Sequence, residues 1–249
     1  MKSKIVPIKN IARVAEAADA LMHRPHGMPG MGVVHGESGL GKTTTISYLV
    51  NQVNGVFVRA MANSSPSSLL GDILHELDVA PRGGCAQMTR AAVEALAASN
   101  RPLFIDEMNL VLDSRRAREM SETMRDIHDL STVPVILVGD DTVLPRLQHR
   151  EQLYNRMAQQ VRLQRCDAED ARMLADRLCE VRIEDDLLEA IVKSPDIAGV
   201  TRRILVALAH CEARARAKGK DSINLAGFGR GGFFSGDAEP TSGKVTVIR

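Results

Sequence analysis

The sequence predicts an α/β fold in which helices cover a parallel β-sheet, followed by a small helical domain. Short apolar runs alternate with stretches of helical periodicity up to about residue 165, which is typical of buried parallel strands joined by helices. Beyond that point the strand signals stop and helical patterns continue to about residue 218. Hydrophobic residues make up 44% of the 249 residues, which is enough apolar material for a core.

Five segments are predicted to be strands, because each is apolar and is flanked by glycine, proline or polar residues: 31–35, 56–59, 103–105, 135–138 and 160–163. The predicted helices before and between them include 8–22, 44–53 and 66–78. The last of these is expected to pack on the core through one leucine-rich face, with Ser65 as its cap and Pro66 in its first turn.

The same patterns divide the chain into four parts: an N-terminal helix at 1–24, an α/β domain at 25–165, a helical domain at 166–224 and a tail at 225–249. The helical domain is predicted to contain helices at 167–181, 185–193 and 199–218. The tail is rich in glycine and lacks both the helical and the strand period, so we expect it to be flexible.

Composition excludes several classes of protein. No apolar run approaches the roughly 18 residues that a membrane span needs, and no signal-type segment follows Met1, so we expect a cytoplasmic protein with no membrane partner. The cysteines are far apart and form no zinc-binding pattern, which predicts reduced thiols at Cys85, Cys166, Cys179 and Cys211. With 32 basic against 31 acidic residues, the chain as a whole gives no argument for a polyanion partner, so nucleic-acid binding would need local patches.

Residues 36–43 match in full the phosphate-binding pattern GxxxxGK followed by Ser or Thr. The pattern follows a predicted strand and precedes a predicted helix, so that loop amides and the helix N-terminus can bind a polyphosphate. Lys42 is expected to reach the β- and γ-phosphates, and the Thr43 hydroxyl is expected to hold a magnesium ion. The candidate nucleotide-binding residues are Gly36, Glu37, Ser38, Gly39, Leu40, Gly41, Lys42, Thr43 and Thr44.

A second motif supports the same site. The apolar segment 103–105 ends in two adjacent carboxylates, Asp106 and Glu107. At the carboxyl end of a strand beside the phosphate-binding loop, Asp106 would bind magnesium through water, and Glu107 would act as a general base toward the attacking water. The alternative is that both residues begin a solvated loop. It is less favoured because the phosphate-binding loop is also present.

These motifs, a strand with a polar end at 133–140 and the helical domain together resemble the AAA+ ATPases over about residues 8–218. Within that superfamily, the segments 124–139 and 199–204 are similar to those of the transposition regulators of the phage Mu B, TnsC and TniB type. Origin-recognition ATPases and ExeA-type secretion ATPases carry similar segments. The resemblance implies a P-loop AAA+ sheet between helices with a helical lid, ATP and Mg²⁺ as ligands, and ATP hydrolysis.

The resemblance also implies roles for further residues. Asp140 stands at the first-sensor position, which commonly carries Asn, Thr or Ser; a carboxylate cannot donate a hydrogen bond unless it is protonated, so either Asp140 contacts water and cation or a neighbour takes the role. Arg156 best matches the arginine finger that a neighbouring protomer supplies, with Arg146 and Arg150 as competitors. Arg202 matches the second sensor at the start of the lid helix. For each residue the alternative is an ordinary surface charge.

A finger that acts between protomers requires a head-to-tail interface, and the resemblance implies ATP-dependent homo-oligomers, either rings or helical filaments, on duplex DNA. We expect phosphate contacts with little sequence preference. The preferred DNA contacts are Arg59, Asn63, Ser64, Arg115 and Arg116, while basic charge also clusters at 201–220. The alternative for such charge runs is a solvated helix face.

The leading hypothesis is an ATP-hydrolysing regulator of DNA transposition that oligomerises on target DNA and recruits or activates a transposase, with hydrolysis disassembling the oligomer. The alternatives are a helicase loader or replication-type ATPase, and a nucleotide-switched scaffold with little turnover, which Asp140 favours. Because the chain is nearly neutral, we expect weak DNA binding by one protomer and a steep dependence on salt and ATP.

Overall fold

The computed structural model of the chain describes residues 1–229 and 231–233, which form two units. The first unit contains residues 7–164. The second contains residues 1–6 together with the chain from residue 165 onward. The helix that we expected as a separate N-terminal part belongs to the first unit.

Five strands form one parallel sheet in the first unit: β1 (Met31–His35), β2 (Val56–Arg59), β3 (Leu103–Asp106), β4 (Val135–Gly139) and β5 (Met157–Arg162). Their order in the sheet is β2-β3-β4-β1-β5, so that β1 lies between β4 and β5. All five predicted strands are confirmed, but β5 begins at Met157 instead of residue 160. Half-buried and exposed positions alternate along β5, as expected of an edge strand. Because polar residues interrupt its apolar pattern, the start of β5 was not predicted correctly.

The helices of this unit are α1 (Lys9–Met22), α2 (Lys42–Val53), α3 (Pro66–Glu76), α4 (Cys85–Ser99), α5 (Met108–Leu112), α6 (Ala117–Ser131), α7 (Val143–Gln148) and α8 (Glu151–Tyr154). Helix α3 begins as predicted, because Ser65 Oγ accepts a hydrogen bond from the Ser68 amide at 3.1 Å and Pro66 is its first residue. It ends earlier than predicted, because Asp78 adopts a left-handed conformation with φ 57° that a helix cannot include.

Helices cover both faces of the sheet. Successive residues of a strand point to opposite faces, and the buried clusters follow this alternation. Ile105 and Leu137 pack in one cluster with the leucines of α3, whereas Phe104 and Ile136 pack in another with residues of α1 and α2. The predicted parallel sheet between helices is confirmed, and the carboxyl ends of its strands share one edge.

The second unit contains α9 (Ala168–Leu178), α10 (Asp185–Lys193), α11 (Thr201–Ala217) and α12 (Leu225–Phe228), with two short strands, β6 (Arg182–Ile183) and β7 (Ser222–Ile223). The strands pair in parallel, with Ile183 opposite Ile223 and both side chains buried. The predicted helical domain thus also contains a pair of short strands, which the sequence did not indicate. Two-residue strands are too short to produce a detectable period.

The start of the predicted tail is folded. The Asn224 side chain accepts a hydrogen bond from the Gly227 amide at 2.8 Å and so caps α12. Phe228 is 3% exposed, and the Arg214 guanidinium lies 4.1 Å from its ring centroid. The prediction that the flexible tail begins at residue 225 was therefore wrong for its first residues. Burial of the Phe228 ring stabilises the helical turn there. The expectation for Arg230 and residues 234–249 lies outside the described residues.

The cysteines are free thiols, with Cys85 exposed and the other three buried. Burial raises the pKa of the Cys166 and Cys179 thiols to about 11, so both stay protonated at neutral pH. Within the described part of the chain, no helix has the length and apolar character needed to cross a membrane.

Candidate nucleotide-binding site

The phosphate-binding loop connects the carboxyl end of β1 to α2, and its glycines are structurally required. Gly39 and Gly41 have φ angles of 86° and 87°, which residues with a side chain rarely adopt. At Gly36, with φ 154°, a Cβ would also lie 3.2 Å from Leu163 Cβ. Gly41 immediately precedes α2, so the loop leads directly into the N-terminus of a helix.

Lys42 is held against the loop that precedes it. Its Nζ donates to the carbonyl oxygens of Gly36 at 2.7 Å and of Glu37 at 2.9 Å. Burial lowers the pKa of Lys42, while nearby carboxylates, Glu107 foremost, oppose this shift. Lys42 Nζ therefore lies at the mouth of a loop whose amides can donate hydrogen bonds to phosphate oxygens.

Thr43 and Asp106 meet at the base of the loop. Thr43 Oγ1 donates to Asp106 Oδ2 at 2.7 Å, and the Glu107 amide donates to Oδ1 at 2.9 Å. A hydroxyl and a carboxylate are hard oxygen ligands that suit Mg²⁺, which keeps several waters and takes further ligands from substrate phosphates. Residues 1–229 and 231–233 contain no cluster of three or more His, Cys, Asp or Glu that could hold a metal. The donor pair therefore fits a magnesium ion that binds together with a nucleotide.

Glu107 has an unusual backbone conformation. Its φ and ψ angles, 60° and 33°, lie in the left-handed region, and α5 begins at the next residue. A non-glycine residue in this region is strained by about 1–3 kcal/mol, and such strain is concentrated at functional sites. The turn leaves the Glu107 side chain half-buried at the edge of the sheet beside Lys42.

Arg59, which was predicted to contact DNA, lies beside the candidate nucleotide site. Strands β2 and β3 pair so that Arg59 stands opposite Asp106. Arg59 Nη2 lies 3.4 Å from Asp106 Oδ2. The parallel register directs this arginine to the carboxylate at the end of the neighbouring strand, and its role as a DNA contact stays a prediction.

Asp140 follows β4 and is engaged locally. Its Oδ1 accepts hydrogen bonds from the Thr142 amide at 2.8 Å and the Thr142 hydroxyl at 2.5 Å. Asp140 thus stabilises the turn that leads into α7. A carboxylate accepts hydrogen bonds and donates one only when it is protonated.

A polar cluster beside the loop was missed by the sequence analysis. His35 Nδ1 lies 2.9 Å from Asp141 Oδ1, and Arg162 binds both Asp141 oxygens at 3.2 and 3.1 Å. The hydrogen bond from Arg162 is the main cause of a lowered pKa of Asp141. These residues end or follow β1, β4 and β5, so only knowledge of the strand order could have brought them together.

The candidate arginines occupy different places. Arg156 immediately precedes β5, at the amino edge of the sheet and away from the loop. Arg146 donates to the Asn109 carbonyl at 2.9 Å and pairs with Asp113, which ties it to the region of α5. Arg202 is exposed in the first turn of α11, in the second unit.

The remaining DNA candidates differ in accessibility. Ser64 was predicted to contact DNA phosphate. It is 4% exposed, and its hydroxyl accepts a hydrogen bond from the Met61 amide at 2.8 Å, so its side chain is poorly placed for that contact. Asn63, Arg115 and Arg116 are exposed. The two arginines directly precede α6, near the carboxyl edge of the sheet.

Comparison with known proteins agrees with this geometry. Residues 26–147 match the family model described as an AAA domain. No curated protein matches the chain.

Several solved structures are similar over most of the chain. The Aeropyrum pernix ORC2 protein, in its ADPNP–ADP complexes, is 20% identical with a TM-score of 0.73 over 92% of this chain and 68% of that one. Cdc6p from Pyrobaculum aerophilum is 17% identical, with a TM-score of 0.64 over 89% of this chain and 66% of that one. The Aeropyrum pernix ORC1 protein in complex with DNA is 13% identical, with a TM-score of 0.60 over 91% of this chain and 65% of that one. The chain thus spans about two thirds of the length of these proteins, and the likeness is one of fold.

Proposed function

Because this chain contains an AAA domain in a P-loop AAA+ fold, we propose that it binds ATP with Mg²⁺ and hydrolyses it to ADP and phosphate. The observation that carries the proposal is the contact of Thr43 with the buried Asp106, which joins the phosphate-binding loop to the two carboxylates at the end of β3. A similar protein crystallised with ADPNP and ADP supports it.

Each residue of the site has a defined chemical task. Lys42 and the loop amides bind the phosphates, and Thr43 and Asp106 hold Mg²⁺, which neutralises charge that develops on the phosphate oxygens. Glu107 accepts a proton from the attacking water. His35, Asp141 and Arg162 brace the strand ends beside the loop, so that the phosphate-binding amides keep their orientation.

Arg156 cannot serve the site of its own protomer. It precedes β5, whereas the phosphate-binding loop follows β1, which pairs with β5 in parallel. The six residues of β5 span about 20 Å at ~3.3 Å per residue, which is longer than an arginine side chain. An arginine finger at Arg156 would therefore act on ATP bound by a second copy, in a head-to-tail oligomer.

We further propose duplex DNA as the partner of this oligomer. One similar structure is an ORC1 protein in complex with DNA, and Arg115 and Arg116 are exposed here for phosphate contacts. The likeness to ORC and Cdc6 proteins favours a replication-type ATPase at least as well as a regulator of transposition. Regulation of transposition remains a second proposal, supported by the segments 124–139 and 199–204.

Two substitutions test the proposed activity. Lys42→Ala is expected to abolish binding of a fluorescent ATP analogue. Glu107→Gln is expected to retain that binding while lowering kcat by about 10²- to 10⁴-fold. Size-exclusion chromatography with ATP, with and without duplex DNA, should show Glu107→Gln as a stable oligomer on DNA. A Glu107→Gln protein with normal turnover would contradict the mechanism.

The two partner proposals predict different assemblies on DNA. Electron microscopy of the protein with ATP and long duplex DNA should show continuous coverage for a transposition regulator. A replication-type ATPase should instead form discrete particles and should bind a replicative helicase in a pull-down assay. Absence of any ATP-dependent assembly on DNA would refute both.

A further inference from the structure

The Arg156 guanidinium is held by two contacts within its own protomer. Its Nε donates to Asp129 Oδ1 at 2.7 Å, and its Nη2 donates to Asp129 Oδ2 at 2.5 Å. Its Nη1 donates to the Gln152 carbonyl at 2.6 Å. The side chains of Arg156 and Asp129 are 32% and 35% exposed, so the pair lies at the surface.

These contacts use a particular part of the guanidinium group. A guanidinium carries five N–H bonds in one plane. Nε and one N–H of Nη2 bind Asp129, and one N–H of Nη1 binds the Gln152 carbonyl. One N–H on each Nη atom remains, and no contact among the described residues uses either one. Two N–H groups on adjacent guanidinium nitrogens can bind two oxygens of a phosphate.

The backbone around the pair is also anchored. The Arg156 carbonyl accepts a hydrogen bond from the Met31 amide at 2.9 Å, which ties this residue to the start of β1. Asp129 lies in the last turns of α6, which packs on the core through Met124 and Ile127. Neither partner can move without disturbing a rigid element, so the direction of the guanidinium is preset.

The space beside the pair can admit a ligand group. A cavity of about 620 Å³ opens at this edge of the sheet, and its lining includes Arg24, His26, Asp129, Asn155 and Arg156. The hydrogen bond with Arg156 holds the pKa of Asp129 below its ordinary value, and the same contact raises the pKa of Arg156. The pair therefore stays ionised at neutral pH.

We propose that Asp129 is a positioning residue for the arginine finger: it fixes the Arg156 guanidinium so that its two remaining N–H groups can reach the γ-phosphate of ATP bound by a second copy of this chain. The inference rests on the proposed function, since it requires that Arg156 act between protomers. Asp129 itself touches neither the nucleotide nor the attacking water.

Steady-state kinetics of a charge-removing variant tests this role. Asp129→Asn keeps the size of the side chain, and it is expected to lower kcat about ten- to a hundredfold because the guanidinium loses its orientation. KM for ATP should change far less than kcat, because the finger acts on charge that develops in the transition state while the phosphate-binding loop that holds ATP is unaltered. In an Arg156→Ala background, Asp129→Asn should cause no further loss.

Asp126→Asn is the matched control. Asp126 lies on the same helix and pairs with Arg125 at 2.7 Å, so its substitution removes an equivalent charge without freeing Arg156. Its kcat should equal that of the unmodified protein. Equal loss of kcat in Asp126→Asn and Asp129→Asn, or an additive loss in the Arg156→Ala background, would overturn the proposal in favour of a structural effect.

Mixed oligomers separate this proposal from its premise. Arg156→Ala protomers keep a nucleotide site and lack a finger, whereas Lys42→Ala protomers keep the finger and lack the site. Mixing the two should restore ATPase activity, and failure would refute the finger between protomers together with the present inference. If the first mixture is active, Arg156→Ala mixed with the Lys42→Ala/Asp129→Asn double variant should be about ten- to a hundredfold less active. Equal activity of the two mixtures would overturn the role of Asp129 alone.

Discussion

Replacement of Arg59 by glutamine is expected to lower the Mg²⁺ concentration needed for tight nucleotide binding. Arg59 Nη2 lies 3.4 Å from Oδ2 of Asp106, the carboxylate that would face the magnesium ion. The arginine and the ion therefore compete for one negative charge. Without the guanidinium, the buried Asp106 has one positive charge fewer beside it, so the cation binds it with less competition.

The size of this effect follows from the exposure of the pair. The Arg59 side chain is 52% exposed although that of Asp106 is 1% exposed, so solvent screens the interaction. Exposed ion pairs contribute about 0.2–1 kcal/mol. At about 1.4 kcal/mol per tenfold change, the half-saturating Mg²⁺ concentration should fall about 1.4- to fivefold.

The assay is a fluorescence titration. The protein is mixed with a fluorescent ATP analogue in EDTA, and nucleotide binding is followed as free Mg²⁺ is raised. Arg90→Gln, an exposed arginine on α4, is the matched control and should titrate like the unmodified protein. An unchanged or higher Mg²⁺ requirement in Arg59→Gln would refute the competition between arginine and cation.

Three further outcomes are expected. Gly36→Ala should weaken binding of the ATP analogue at least tenfold, because the added Cβ would crowd the chain 3.2 Å away at a φ of 154°; calorimetry that gave wild-type affinity would contradict this. Asp141→Asn should lower the free energy of urea unfolding at pH 7. The arginine bound to Asp141 lowers its pKa in the folded state, so its stabilising contribution is present above the ordinary carboxyl pKa of about 3.9 and is lost as pH falls through the lower folded value. The two proteins should therefore converge in stability on acidification, and a constant difference would argue against this ion pair. Removal of both Arg115 and Arg116 should reduce the slope of log K for DNA against log salt by about two, and an unchanged slope would exclude them as phosphate contacts.

The local elements could be predicted because their signals are local. The strand Met31–His35, the glycine loop after it and the helix that follows are specified by a contiguous pattern, and the structure contains all three. Asp106 and Glu107 were identified because they end an apolar strand. By contrast, β6 and β7 are only two residues long, and no periodicity reveals them.

Residues that meet across strands could not be predicted in the same way. Arg59 is an ordinary charged residue in the sequence, and only the parallel register of β2 with β3 brings it to Asp106. The cluster around Asp141 depends on the placement of β1 between β4 and β5. Arg156 and Asp129 are similarly joined only when the start of β5 lies beside the end of α6.

The sequence by itself therefore determined the fold class, the phosphate-binding loop and the carboxylates of the candidate site, because each depends on residues close together along the chain. Tertiary structure alone decided which charges neutralise one another: Arg59 with Asp106, Arg162 with Asp141, and Arg156 with Asp129. The physical reason is that an ion pair requires approach within a few ångströms, and the order and register of the strands govern that distance.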